Sequence, residues 1–297
     1  MRQWWEEIAG LVLPVDCAGC GRPRTRLCEG CAQALYGSGA QRVRPVPEPP
    51  GLPPVFAAAP YANGPRAVLL GHKERGALPS ARPLGAALAE AVRAAAAFRP
   101  ASVVRPASVV HPASVVRPAS VVRPASVVRA AGTTARGGGG GPLLLVPVPS
   151  ARRAVRARGH DPGRRIATAA AAELRRTGTP ARVLPVLRQR GRVADQAALT
   201  AAERLDNMAG ALELVPGGGR LLDGWLRDGW PREGGRPVLV DDLMTTGASL
   251  AEAARALATA LPAGRRGIPA AVVCAPAMSF ELNRNGRGTC IVAGGES

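Results

Sequence analysis

Aromatic side chains make up only 3% of this chain: three Phe, two Tyr and four Trp in 297 residues. So few rings leave little material for a surface on which successive nucleic-acid bases could stack. No stretch reaches the roughly 18 consecutive apolar residues of a spanning helix. The start, Met1-Arg2-Gln3-Trp4-Trp5-Glu6-Glu7, lacks the basic-then-apolar order of a secretory signal. Membrane insertion is therefore not expected, and the cytoplasm is the expected location. Lysine is almost missing as well: Lys73 stands alone among 39 basic residues, the rest being arginine. A ratio that lopsided looks like nucleotide bias in the coding sequence, so part of the net charge of +18 carries no function. The remainder still concentrates anions, whether phosphorylated metabolites, nucleic acid or acidic lipid.

Against these shortages stand 46% hydrophobic and 20% charged residues, enough to bury a sizeable core. Gly 36 and Pro 29 together exceed a fifth of the chain, which points to long loops between compact parts. The length allows one large domain or two small ones. Residues 99–128 are five tandem hexapeptides, Arg-Pro-Ala-Ser-Val-Val with His111 replacing arginine in the third. A proline in every copy spoils sheet ladders, and thirty residues make fewer than two coils of a β-helix at about three hexapeptides per coil. The segment 99–141, ending in five glycines, reads as a disordered low-complexity insertion.

Four of the six cysteines form one cluster: Cys17-Ala18-Gly19-Cys20 and Cys28-Glu29-Gly30-Cys31, spaced C-x2-C-x7-C-x2-C. Each pair can bite one tetrahedral metal from a turn, so residues 1–40 read as a zinc knuckle with a structural Zn2+ on four thiolates. Four thiolates leave no open position for catalysis. The alternative is two reducible thiol pairs. Cys274 lies in the apolar run Ala270-Ala271-Val272-Val273-Cys274 and reads as a buried strand residue.

Residues 44–54, rich in proline, read as a linker. Strands are expected at 55–60, 143–148, 182–187, 211–215, 238–241 and 268–274, and helices at 65–73, 84–98, 166–176 and 247–261. That alternation predicts an α/β fold with a parallel, doubly wound sheet, in which ligands bind at the carboxyl ends of strands. The domain spans 55–98 and 142–275, and 276–297 forms a C-terminal tail. One strand end concentrates the chemistry: Val238-Leu239-Val240-Asp241-Asp242-Leu243-Met244-Thr245-Thr246-Gly247-Ala248-Ser249-Leu250. A buried strand delivers two carboxylates, and a hydroxyl-rich turn then opens a helix whose free amides can wrap a phosphate. Carboxylates beside a phosphate repel it unless they bind sugar hydroxyls or a metal. A ribose 5-phosphate with free hydroxyls meets both needs. The simpler reading is an Asp ending a strand and a Thr capping a helix.

This run resembles the phosphoribosyl-pyrophosphate (PRPP) motif of type I phosphoribosyltransferases. Pro147-Val148-Pro149 with Arg152-Arg153-Ala154-Val155-Arg156-Ala157-Arg158-Gly159-His160 is similar to the arginine-rich loop of the ComF/GntX family. Leu187-Arg188-Gln189-Arg190, Gln196, Leu199, Arg204, Asn207 and Gly210-Ala211 fit that family too, as do Tyr61, Arg66, Leu69-Leu70, Lys73 and Gly76. Its members commonly carry a four-cysteine knuckle. Two departures stand out: the hexapeptide insertion, and His160-Asp161-Pro162 where an aromatic-Asn-Gln run is common.

The resemblance implies that Asp241 and Asp242 hold the ribose hydroxyls and that Thr245, Thr246, Gly247, Ala248 and Ser249 hold the 5-phosphate. The loop 149–159, with Arg158 foremost, faces pyrophosphate, for which the planar guanidinium fork is suited. Lys73 adds a point charge, unless it is merely a surviving lysine. Residues 188–207 form a flap that excludes water. Mg2+ arrives with PRPP, and a nitrogen nucleophile, not identifiable from the residues, displaces pyrophosphate. His72 reads as a helix-surface residue, and His160 has no evident partner. Two alternatives remain open: an accessory protein of competence DNA uptake that binds PRPP, a nucleotide or single-stranded DNA without turnover, and a zinc module that docks uptake machinery beside a vestigial transferase domain. The oligomeric state is not legible.

Overall fold

The computed structural model describes residues 16–98, 141–190, 203, 207–228, 234–261 and 267–281. The repeats and nearly all of the expected insertion lie outside these residues, as do Trp4, Trp5, Gln196, Leu199 and Arg204 of the expected pattern. Eight strands are described: β1 (Gln41–Val43), β2 (Val55–Pro60), β3 (Leu143–Pro147), β4 (Ala181–Val183), β5 (Leu187–Gln189), β6 (Leu212–Leu214), β7 (Arg236–Leu243) and β8 (Ala270–Ala275). The α-helices are α1 (Glu29–Ala32), α2 (Asn63–Glu74), α3 (Ala81–Ala97), α4 (Arg152–Arg158), α5 (Pro162–Arg176), α6 (Gly218–Asp228), α7 (Ala248–Ala258) and α8 (Met278–Glu281). None of the described helices is long and apolar enough to cross a membrane.

The main sheet runs β1-β2-β8-β7-β3-β4, parallel throughout except for β1, which pairs antiparallel with β2. Its strands are apolar on both faces because helices cover both. Leu143, Leu145, Val238, Val240, Ala271 and Val273 face α3 and α5. Their neighbours Leu144, Val146, Leu239 and Val272 face α6 and α7. Strand periodicity of two therefore splits one apolar run between two cores. The expected α/β class with a mostly parallel sheet is present.

The chain leaves β3 towards the β4 edge through α4 and α5, whereas it leaves β7 towards β8 through α7. Neighbouring strands with crossovers departing in opposite directions open a crevice at their carboxyl ends. Here Pro147 pairs with Val240, and Val148 N donates to Val240 O at 2.9 Å. The turn after β3 thus lies beside Asp241 and Asp242.

Several expectations change. The single strand expected over 182–187 is two, because Pro185 interrupts it and the second piece, β5, forms an antiparallel hairpin with β6. The segment expected as a loop over 149–159 contains α4, built from alanine and arginine, both good helix formers, and closed by Gly159 at φ 71°. The proline-rich stretch 44–54 is packed rather than free: a Cβ on Gly247 would stand 2.9 Å from Leu52 Cδ1 and 3.4 Å from Pro49 Cγ. Residues 276–281, assigned to the tail, join the fold, where Ser279 is buried and its carbonyl accepts from Arg44 N at 3.0 Å.

The β5–β6 hairpin hangs on α7 through Glu252, buried at 6% exposure. Leu212 N donates to Glu252 Oε1 at 3.0 Å, while Arg255 donates to both Glu252 oxygens and to Leu212 O. Burial opposes ionisation of Glu252, but Arg255 and the Leu212 amide outweigh it and hold the carboxyl below its ordinary range. A depressed carboxyl stabilises the fold above its unfolded value and loses that contribution as pH falls through the folded one. Glu252→Ala should cost about 1–3 kcal/mol at neutral pH, mainly by leaving the buried Leu212 amide without its acceptor. In denaturant titrations the gap to wild type should shrink as the pH is lowered below about 4.

Candidate functional site

Strand alternation decides what each acid at the end of β7 meets. Asp242 shares the parity of Val238 and Val240 and turns toward the face that carries α2, α3 and α5. There it is buried, and Lys73 Nζ, from the last turn of α2, lies 3.1 Å from its Oδ1 and 3.0 Å from its Oδ2. Lys73, 169 residues earlier in sequence, is the counter-ion of the acidic edge. Burial disfavours its ammonium, yet Asp242 and then Asp241 more than offset this, so its pKa lies above the ordinary lysine value. Arg158, half-buried at the end of α4, adds a smaller charge that opposes that of the lysine.

Asp241 keeps part of its surface open but sits within the crevice, its Oδ1 accepting from Asp242 N at 2.8 Å. Desolvation there, followed by the charge of Asp242, pushes its carboxyl up to about 8, with Lys73 pulling the other way. An acid so perturbed at the carboxyl ends of parallel strands is a candidate functional residue.

The turn after β7 behaves as expected in outline. Gly247 takes φ 80°, open to glycine at no steric cost, and starts α7. Thr245 is exposed, Thr246 and Ser249 are half-buried, and Ala248 is buried. Thr246 Oγ1 accepts from Ala248 N at 3.4 Å within the turn, but the residue that caps the helix is Gly247, not a threonine as the simpler reading had it. Leu52 and Pro49 back this turn, a contribution no pattern in 44–54 announced. Arg153 and Arg156 are exposed on α4. Arg188 and Arg190 of the expected flap are engaged by Glu213 in the hairpin, at 2.9 Å and 3.9 Å. The rest of the flap between residues 191 and 206 lies outside the described residues, apart from Glu203.

The two histidines differ from expectation. His72 is fully buried rather than on a helix surface, and its ring stands edge-on to that of His160, centroids 6.1 Å apart. His160 has a backbone neighbour, its Nδ1 lying 3.0 Å from Arg158 O.

The four cysteines converge on one point. Their Sγ atoms all lie within 4.8 Å of one another, Cys17, Cys28 and Cys31 buried and Cys20 exposed. Cys20 and Cys28 Sγ are 3.6 Å apart. Thiolates bound to one zinc at about 2.3 Å stand about 3.8 Å from each other, so the cluster fits that ion. Cys28 N donates to Cys17 Sγ at 3.3 Å, the outer hydrogen bond that steadies a thiolate ligand. Burial opposes ionisation of Cys17, and the amides of Cys28, Cys20 and Gly19 overcome it, bringing the thiol down to about 6. Burial pushes Cys31 up. A Cβ on Gly19 would stand 2.6 Å from Cys31 Sγ, so only glycine leaves room for the fourth sulfur. Among the described residues no other group of three or more His, Cys, Asp or Glu side chains is placed to hold a metal.

Metal analysis should find one zinc per chain, lost in Cys17→Ser/Cys28→Ser and weakened in Gly19→Ala, with thermal stability falling in parallel. At the acidic edge, a carboxyl raised to about 8 costs stability that is absent below the unfolded value of about 4 and grows as pH climbs to 8. Asp241→Asn should therefore raise the melting temperature more at pH 8 than at pH 5; an equal change at both would mean that Asp241 titrates normally. No protein-family model matches the chain, and no curated protein is similar to it.

Proposed function

We propose that this chain is a phosphoribosyltransferase-like protein of the ComF/GntX type with a type I phosphoribosyltransferase fold. It would bind PRPP, or a ribose 5-phosphate nucleotide, and transfer the phosphoribosyl group to a nitrogen acceptor. One observation carries the reading. The acidic pair Asp241-Asp242 stands at the carboxyl ends of β3 and β7 beside the Thr245–Ser249 turn, with Lys73 paired to Asp242 and the charge of Arg158 felt at that lysine. Sugar hydroxyls suit the carboxylates, a phosphate monoester suits the turn, and a diphosphate suits the cations. PRPP presents all three groups within one molecule.

In the reaction the bond from C1 of ribose to the acceptor nitrogen forms as the C1–oxygen bond to pyrophosphate breaks. Negative charge collects on the departing pyrophosphate, and fixed cations in a water-poor crevice stabilise it without reorganising. Lys73 and Arg158 would face that charge. Asp242, already neutralised by Lys73, can accept from a ribose hydroxyl at little electrostatic cost, and Asp241 takes the second hydroxyl. The two carboxylates face an ammonium and form no all-protein cage for a hard cation. Mg2+ would enter chelated to the diphosphate, where it neutralises charge on the leaving group.

The DNA-uptake alternative finds little support among the described rings. Phe56 and Phe98 pack on each other at 5.6 Å, and Arg182 lies 4.9 Å from the centre of the Trp225 ring. Incubation with PRPP, Mg2+ and a panel of bases and amines should release pyrophosphate. Asp241→Asn/Asp242→Asn should abolish both release and PRPP binding, while Arg153→Ala, on the exposed side of α4, should change either by less than about threefold. Tight PRPP binding without turnover would leave a ligand-binding module. No binding, together with salt-sensitive capture of single-stranded DNA that survives deletion of residues 99–141, would replace the proposal with the nucleic-acid reading.

A further inference from the structure

His72 and His160 lie outside every role assigned above, yet they join the two segments that deliver the cations. His72 precedes Lys73 in the last turn of α2 and is 0% exposed. Its Nδ1 stands 3.3 Å from Ala77 O, in the chain that leaves α2, and its Nε2 stands 3.4 Å from Pro162 O, in the first turn of α5. The ring meets His160 edge-on at 6.1 Å. His160 is anchored beside Arg158 by the 3.0 Å approach of its Nδ1 to the Arg158 carbonyl, and its Nε2 is buried with no hydrogen-bond partner. The same corner is pinned on its other side by Asp161, whose Oδ1 accepts from Ser150 Oγ at 2.9 Å and from Arg164 N at 3.2 Å. Ser150 belongs to the turn after β3. One buried imidazole therefore bridges the end of the lysine-bearing helix and the corner that ends the arginine-bearing one.

We infer that His72, backed by His160, is a positioning residue that holds Lys73 on Asp242 and sets it against Arg158. Neighbouring side chains on a helix point about 100° apart, so fixing His72 in the α5 corner fixes the direction in which Lys73 projects. A long lysine side chain loses considerable rotamer freedom when held in one geometry, and a helix end free to rock would not hold it. A burial-driven fall in basicity keeps His72 neutral, with His160 and Arg165 adding to it against the two carbonyls. A neutral ring has one N–H for two carbonyls, so it donates to one and packs against the other. The contact is thus steric as well as polar. The inference rests on the proposed site only in that Lys73 and Arg158 serve it; the geometric link can be tested without any ligand.

Lys73 is the only lysine in the chain, so a single ε-amine reports on the latch. Its rate of reductive methylation, read on the Lys73 peptide by mass spectrometry, tracks free amine and access. Asp242→Asn calibrates the assay: loss of the ion pair should speed labelling about tenfold for each unit of lost pKa. His72→Leu, similar in volume but without ring nitrogens, should speed it by about three- to tenfold, with zinc content and cooperative melting retained. His72→Gln, which restores one N–H for a carbonyl, should recover most of the wild-type rate. His160→Phe, keeping the ring edge, should sit between them. If Asp242→Asn speeds labelling and His72→Leu does not, the positioning role is overturned. Should His72→Leu lose zinc or melt without cooperativity, His160→Phe decides, and a wild-type rate there also overturns it. If Asp242→Asn itself changes nothing, the ion pair and the function built on it fall first. With PRPP and Mg2+ as probe, His72→Leu should weaken binding while ribose 5-phosphate, held by the Thr245–Ser249 turn, binds within about twofold of wild type. Equal losses for both ligands would point to general loosening and against positioning.

Discussion

Two adjacent carboxylates at the carboxyl end of a buried parallel strand are unstable without a cation, and the chain supplies one. Lys73 reaches Asp242 from a helix 169 residues earlier. Much of the surrounding architecture serves that contact. The parity of β7 turns Asp242 toward the helical face on which α2 lies. Asp241, with no cation in direct contact among the described residues, carries an electrostatic penalty when ionised. A fold selected for stability alone would replace Asp241 with a neutral residue. Its presence makes sense under the proposed function, where a ligand with hydrogen-bond donors relieves the penalty on binding, the trade of stability for activity common at functional sites.

The parallel sheet makes such a site economical. Its crossovers leave β3 and β7 in opposite directions, so the two turns that follow them stand side by side with no helix between. One turn is acidic and then hydroxyl-rich, and the other leads into cationic α4. That polarity matches the ligand proposed above, a sugar carrying phosphate groups at two ends. The prolines before β2 reinforce one wall by packing Leu52 and Pro49 on Gly247. Residue 247 must therefore be glycine on two counts, its left-handed backbone and the lack of room for a Cβ.

Much of this could be read from residue order, for identifiable reasons. The motif from Val238 to Leu250 is contiguous, so its strand, acids and turn are local facts, and the cysteine spacing is equally local. β2 and the end of α5 follow from apolar patterning alone. What sequence could not place is whatever depends on distant pairing. That Lys73 meets Asp242 rather than solvent is a tertiary fact; its rarity among 39 basic residues and its place in the family pattern hinted at a role but not at its partner. His72 was misread because a histidine beside a lysine near a helix end resembles a solvated face. The signal against that reading was available in the run Val68-Leu69-Leu70-Gly71, since Val68 and Leu69 lie four and three residues before His72 on the same helical face and are buried. The arginine-rich stretch was taken for a loop because the family resemblance places a loop there, although alanine and arginine favour helix and Gly159 supplied the stop.

The knuckle, remote in sequence from the acidic edge, is joined to it through α2. A Cβ on Gly64 would stand 3.1 Å from Cys31 Sγ, so the helix begins against the cysteine cluster with glycine making the approach possible. Its other end is held by His72 in the α5 corner and by Lys73 on Asp242. Between these ends Pro65, Val68 and Leu69 are buried while Arg66 and Glu74 face solvent. A twelve-residue helix is marginal by itself, so tertiary contacts must fix where it lies and which way it points. Four sulfurs at one terminus and an imidazole and an ammonium at the other provide them. The cysteine cluster and the acidic edge are thus joined by the two ends of one helix, and the cluster gives the lysine-bearing helix a fixed origin.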